Sequence, residues 1–137
     1  MPPALTPALA VAYVRELSAD VRSVVVLGER GELLAGPPEL EPGARALLAA
    51  AGDAAEAEAV GADGVVCAVR WGERAAVAVC GRFALPGIVR QDLRAALAAL
   101  AGAPPPADVG PTARAGDPAL EAAAGALISA VQRHSLT

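Results

Sequence analysis

Hydrophobic positions along the chain follow two different periods. Residues 21–27 (VRSVVVL), 64–71 (GVVCAVRW) and 74–80 (RAAVAVC) are short apolar runs rich in β-branched side chains, which suits strands. Residues 86–100 instead repeat apolar positions at Val89, Leu93, Ala96, Leu97 and Leu100, the spacing of one helix face, and leave Arg90, Gln91 and Arg94 to point outward. The stretch 64–100 therefore predicts a hairpin running into an amphipathic helix. With Gly72-Glu73 as its turn, Cys67 falls opposite Ala78 and Cys80 opposite Val65. Both faces of that hairpin are largely apolar, so helices are expected above and below the sheet.

The same patterns place the remaining elements around this centre. Thr6-Pro7 is a helix start, and Leu9, Tyr13 and Leu17, with Val14 beside them, form the expected inward stripe, leaving Arg15 and Glu16 to water. Residues 21–27 and 32–35 pair around the turn Gly28-Glu29-Arg30-Gly31. Glu41-Pro42 opens a second helix over 42–51, with Ala44, Leu47, Leu48 and Ala51 as its stripe and Gly52 as its stop. Residues 54–60 alternate alanine with Glu56 and Glu58 and read as an edge strand with a solvated glutamate face. Residues 103–116 form a proline-rich linker, expected to lack regular structure. Beyond it, Asp117-Pro118 starts a last helix with Leu120, Ala124, Leu127, Ile128 and Val131 on one face. The expected organisation is a domain over 1–102, the linker, and a helix over 117–137 whose stripe can pack on its own domain, on a second copy or on another protein, with a contribution to partner or subunit contacts expected.

Composition narrows the chemistry. A chain of 137 residues fits one compact domain. Hydrophobic residues make up 55% of it but aromatic ones only 2%, so the core must be built from Val, Leu and Ala, and full coverage of its faces, oligomerisation included, becomes important. All 11 basic residues are arginine, which excludes a phosphate-loop lysine, a Schiff base and a lysine general base. The net charge of -4 and the scattered arginines argue against nucleic acid. Cys67 and Cys80 sit inside strand-like runs and read as buried reduced thiols. No run approaches the ~20 apolar residues of a membrane span. The N-terminal MPPALTPALAVAYV lacks the basic start of a signal peptide, so a cytoplasmic location without membrane insertion is expected.

Candidate catalytic groups are few. His134 is the only histidine and lies near the chain end beyond the linker. No carboxylate pair, metal-spaced His/Cys cluster, GxSxG or GxGxxG occurs. Asp63, Asp92 and Asp117 fit turn, helix-surface and cap positions, and Trp71 reads as a core plug at the hairpin end. No catalytic, cofactor-binding or metal residue is assigned, and a non-enzymatic protein is expected.

The order helix, strand, strand, helix, three strands, helix, with VRSVVVLGERGELLAG early and a hairpin running into a Gly-Ile-Val-Arg helix late, resembles the roadblock / dynein light-chain (profilin-like) family. The likeness covers about residues 5–100. The second helix is short and alanine-rich for such a domain, and residues 103–137 lie outside the family core. The resemblance implies an α/β (α+β) fold: a five-stranded antiparallel sheet sandwiched by helices in αββαβββα order, with the first and third helices on one face and the second on the other. It also implies homodimerisation through the third strand and second helix, here residues 54–60 and 42–51. The expected dimer or partner interface is Arg45, Leu48, Glu56, Glu58 and Val60, joined by Leu127 and Val131 of the last helix. Bacterial relatives often serve small Ras-like GTPases, so the implied function is a homodimeric, cofactor-free regulator or scaffold for such a GTPase. The alternative is a PAS- or GAF-like small-molecule sensor, for which few polar residues point inward.

Overall fold

The hairpin predicted at the centre of the chain is the centre of the fold. The computed structural model describes residues 6–17, 20–102, 110–114 and 117–135. Its elements are α1 (Pro7–Leu17), β1 (Val21–Leu27), β2 (Leu33–Ala35), a 3-10 turn (Pro38–Leu40), α2 (Glu41–Ala50), β3 (Glu56–Gly61), β4 (Gly64–Trp71), β5 (Arg74–Cys80), α3 (Pro86–Leu100), β6 (Thr112–Ala113) and α4 (Pro118–Ser135). Among the described residues six strands form one sheet in the order β2-β1-β5-β4-β3-β6. All neighbouring pairs are antiparallel except β3 and β6, which run parallel.

β4 and β5 pair in the expected register, Cys67 opposite Ala78 and Val65 opposite Cys80. Gly72 supplies the positive φ of 62° that the first position of a two-residue II′ turn requires. Pleating then sends Val65, Cys67, Val69, Ala76, Ala78 and Cys80 to one face, where they pack with Val24 and Val26 of β1 under α1 and α3. Val66, Ala68, Val77 and Val79 go to the other, where α2 and α4 cover them together with Val25 and Leu27. Leu93 and Leu97 of α3 and Leu120 and Leu127 of α4 are almost fully buried, each contributing about 1.5–3 kcal/mol by removal from water. At the end of β2, Gly36 turns with φ 107°, and a Cβ there would strike the Val24 carbonyl.

Several expectations are corrected. The sheet has six strands, because Thr112 and Ala113 of the supposed unstructured linker pair with Glu56 and Ala57. Residues 103–109 and 115–116 of that linker lie outside the described residues. The last helix docks on its own domain beside α2, with Leu120, Ala123, Ala124, Leu127 and Val131 in the second core. Gly43 in α2 permits this approach: a Cβ there would lie 2.8 Å from Leu127 Cδ2. On α1 the buried residues are Ala10 and Val14, while Leu9, Tyr13 and Leu17 are exposed. Small Ala10 lets the helix settle closely on the sheet, and the bulky flank is turned aside.

Candidate functional site

The sequence drew attention to the β3 edge, and there the structure concentrates charge. Alternation along β3 points Ala57 and Ala59 toward the α2/α4 layer and Glu56 and Glu58 toward α3, above Val69 and Cys67 of β4. Glu56 is 2% exposed, which overturns the expected solvated glutamate face. α3 extends over β3, and its Arg90 and Arg94 turn inward rather than out. Arg90 Nη1 donates to Glu56 Oε1 at 2.6 Å, and Arg94 Nη1 donates to Glu56 Oε2 at 2.5 Å. Arg90 also reaches Thr112 Oγ1 at 3.3 Å and pairs with Glu58 at 3.2 Å; Arg114 closes the cluster with Glu58 at 3.1 Å.

Each carboxylate is thus held between guanidinium groups, where it accepts strong charge-assisted hydrogen bonds. Such an arrangement positions chain segments: the cluster fastens β3, α3 and β6 to one another. A second arginine has a related task. Arg70 on β4 donates to the carbonyls of Leu48 (2.5 Å), Gly52 (2.8 Å) and Ala54 (2.9 Å), and so caps the C-terminal end of α2, where the helix dipole favours a cation.

The expected interface residues do not form one patch. Glu56, Leu127 and Val131 are buried inside the chain's own core. Arg45 and Leu48 line a cleft of about 460 Å³ between α2, the β1–β2 turn and the β4–β5 turn, together with Arg70 and Arg74. Val60 is exposed at the opposite end of β3, in a groove of about 340 Å³ against α4. Glu58 lies between, tied to Arg90 and Arg114. β6 pairs with the outer edge of β3 at Glu56 and Ala57, and α4 packs against α2, so both elements of the expected dimer surface are partly covered by their own chain.

The remaining chemical groups are structural. Cys67 and Cys80 are free and buried, as read from the sequence. Burial above all, then the nearby Cys80 and Glu58, pushes the Cys67 thiol upward; burial, then Asp20, pushes Cys80 up to about 12. Burial also raises the Asp92 carboxyl. Trp71 packs partly against the first core. Among the described residues no group of three or more His, Cys, Asp or Glu side chains could hold a metal ion, and no helix is long and apolar enough to cross a membrane. The His134 side chain lies outside the described residues.

The mixed sheet carries α1 and α3 on one face and α2 and α4 on the other. The chain is similar to the crystal structure of a Roadblock/LC7 domain from Streptomyces avermitilis, with a TM-score of 0.51 at 9% identity, over 93% of this chain and 96% of that one. That likeness establishes a shared fold. No protein-family model and no curated protein matches the sequence.

Proposed function

We propose that this protein is a non-enzymatic, homodimeric protein-interaction domain that serves a small Ras-like GTPase as a scaffold or regulator. The observation that carries the reading is the roadblock-like fold spanning 93% of the chain. The GTPase comes from the family resemblance of the sequence. The surface proposed for the partner is the part of the expected interface in the cleft at the end of α2, Arg45 and Leu48. Arg45 and Arg74 give that cleft cationic groups for an acidic segment, beside the Arg70 that holds the α2 carbonyls, and Leu48 gives it an apolar floor.

Calorimetric titration against the Ras-like GTPases encoded beside its gene, in both nucleotide states, tests the proposal. Saturable binding to one of them is expected, weakened at least tenfold by Arg45→Glu combined with Leu48→Glu. If none of these GTPases binds in either nucleotide state, the GTPase reading is wrong.

A further inference from the structure

The outer surface of the α1/α3 layer carries six large apolar side chains exposed to between 46% and 74%. They are Leu9, Tyr13 and Leu17 on α1, Phe83 and Leu85 on the loop before α3, and Ile88 in its first turn. The two helices pack against each other over one face of the sheet, and because α1 leads into β1 and β5 leads into α3, with β1 and β5 antiparallel, the helices run antiparallel too. Helical spacing puts Leu9, Tyr13 and Leu17 on one flank of α1, and the right-handed path of the helix turns that flank toward α3. The facing flank of α3 carries Ile88, Asp92, Ala95 and Ala99. At one end, the Gly81 N–H donates to the Asp20 carbonyl at 2.8 Å, which draws the Phe83–Leu85 loop to the end of α1 that carries Leu17. The six side chains therefore line one continuous seam.

We infer that this seam is the surface through which two copies of the chain associate, α1/α3 layer against α1/α3 layer. The inference rests on the homodimer in the reading above and gives that dimer its interface, leaving the α2 cleft free for a further partner.

Three observations support a second copy as the occupant. The first is area. At about 150–250 Å² for a fully exposed large side chain, these exposures amount to on the order of 500–850 Å² per copy, against roughly 800 Å² per partner in a standard stable interface and about 300–600 Å² for the largest patch of an ordinary monomer.

The second is self-complementary shape and charge. The seam is bulkiest at one end, with Leu17, Phe83, Leu85 and Ile88, and on its α3 side narrows to Ala95 and Ala99 toward the other, where Leu9 is the one large side chain. A two-fold axis across the middle of the helices brings the bulky end of one copy onto the small-residue end of the other, as an isologous interface requires. Glu16, Arg82 and Asp92 place both signs of charge around it, so the surface can meet itself without a single-sign field. A lipid surface would instead favour a cationic rim.

The third is composition. Of one tryptophan, one tyrosine and one phenylalanine in the chain, Tyr13 and Phe83 both stand on this seam, and the aliphatic core does without them. Aromatic residues spent on a surface mark association sites more often than solvent faces.

Light scattering after size exclusion, on the full chain at several concentrations, tests the inference. The expected mass is twice the 13.5 kDa of one chain. Leu17→Glu combined with Leu85→Glu should halve it, with the far-ultraviolet dichroism and melting cooperativity retained, because both side chains are exposed. Val60→Glu on the β3 edge serves as the control and should leave the dimer intact.

A wild-type mass of one chain at every concentration overturns both the seam and the homodimer. A dimer broken by Val60→Glu but not by the seam variant overturns the seam alone and keeps the homodimer. If the seam variant does not fold, Ile88→Ser with Phe83→Ser replaces it under the same criterion. Flotation with anionic phosphatidylserine vesicles adds a last arm. Vesicle binding by a wild-type monomer, lost in the seam variant, would assign the surface to lipid and refute the dimer. GTPase titration of the monomeric variant keeps partner binding as a separate readout.

Discussion

Replacing Glu56 by glutamine removes a charge that is 2% exposed, keeps the side chain's size, and turns one of its two acceptor oxygens into an N–H donor that faces a guanidinium. Two guanidinium donors, at 2.6 and 2.5 Å, lose their anionic partner. A hydrogen bond to a charged group contributes about 1.5–3 kcal/mol, and removing one partner of a buried ion pair costs about 3–5 kcal/mol. The side chains of Arg90 and Arg94 keep 12% and 19% exposure, so part of the unpaired charge can move toward water. That relief places the expected loss near the lower limit, at about 3 kcal/mol. For a chain of this length the unfolding entropy is roughly 0.3 kcal/mol/K, so Tm should fall by about 10 °C.

Urea unfolding followed by the fluorescence of Trp71, the only tryptophan, measures the effect, and an unchanged m-value keeps it a statement about stability. Glu56→Leu combined with Arg94→Leu, which leaves Arg90 paired with Glu58, should recover part of the loss, since the cost lies in stranded charge rather than in a missing attraction. A Glu56→Gln variant within about 1 kcal/mol of wild type would refute the assignment of this cluster as a fastening of β3 to α3.

Three further outcomes follow from the same contacts. Arg70→Met keeps the aliphatic stem but strips the carbonyls of Leu48, Gly52 and Ala54 of their donor; it should cost about 2 kcal/mol and raise amide exchange in the last turn of α2. Ending the chain after Gly110 removes β6 and the buried side chains of Leu120, Leu127 and Val131, at about 1.5–3 kcal/mol each. Against a typical total of about 5–15 kcal/mol, the shortened chain should lose its cooperative melt and bind a hydrophobic dye; a cooperative transition near the wild-type temperature would show that α4 is dispensable to the core. The thiols give a pH dependence. Burial raises Cys80 from 9.0 to about 12 and shifts Cys67 the same way, so both states stay protonated below about pH 9. Above it the unfolded chain loses its protons first, and stability falls as pH rises toward 12, by up to about 1.4 kcal/mol per pH unit per thiol. Cys67→Ala with Cys80→Ala should flatten that decline, and rapid thiol labelling of the native protein at pH 8 would contradict it.

The β4–β5 hairpin was legible because two local signals agree: a glycine at the one turn position that needs positive φ, and apolar alternation that fixes which residues share a face. The stripe of α3 was legible for the same reason, Val89, Leu93, Ala96, Leu97 and Leu100 all being buried. Arg90 and Arg94 were misread because a charged residue beside an apolar stripe ordinarily belongs to water. What turns them inward is Glu56, 34 and 38 residues away in the chain, and nothing local announces it. β6 has two residues, too few for any period to register. α1 misled through residue size: Leu9, Tyr13 and Leu17 make the stronger apolar stripe, yet Ala10 and Val14 face the sheet. The docking of α4 did leave a trace in the sequence. Gly43 sits inside α2, where glycine is unfavourable by about 1 kcal/mol, and such a residue points to a close approach of another element, here Leu127.

The cover of helices on both faces has one physical origin, the smallness of the core side chains. Alanine and valine pack densely, but each removes little area from water, so both faces of the sheet need helices and α4 is drawn in as a layer. The buried glutamate and its arginines then fix the β3 edge at which the apolar core ends. Much of the bulk that could have thickened the core stands outside it, on Leu9, Tyr13, Leu17, Phe83, Leu85 and Ile88. If that surface is buried only between two copies, folding and association share one hydrophobic driving force, and the melting temperature must rise with protein concentration. A tenfold concentration step should add about 1.4 kcal/mol per dimer to the apparent stability, and the Leu17→Glu, Leu85→Glu chain should melt at a temperature independent of concentration.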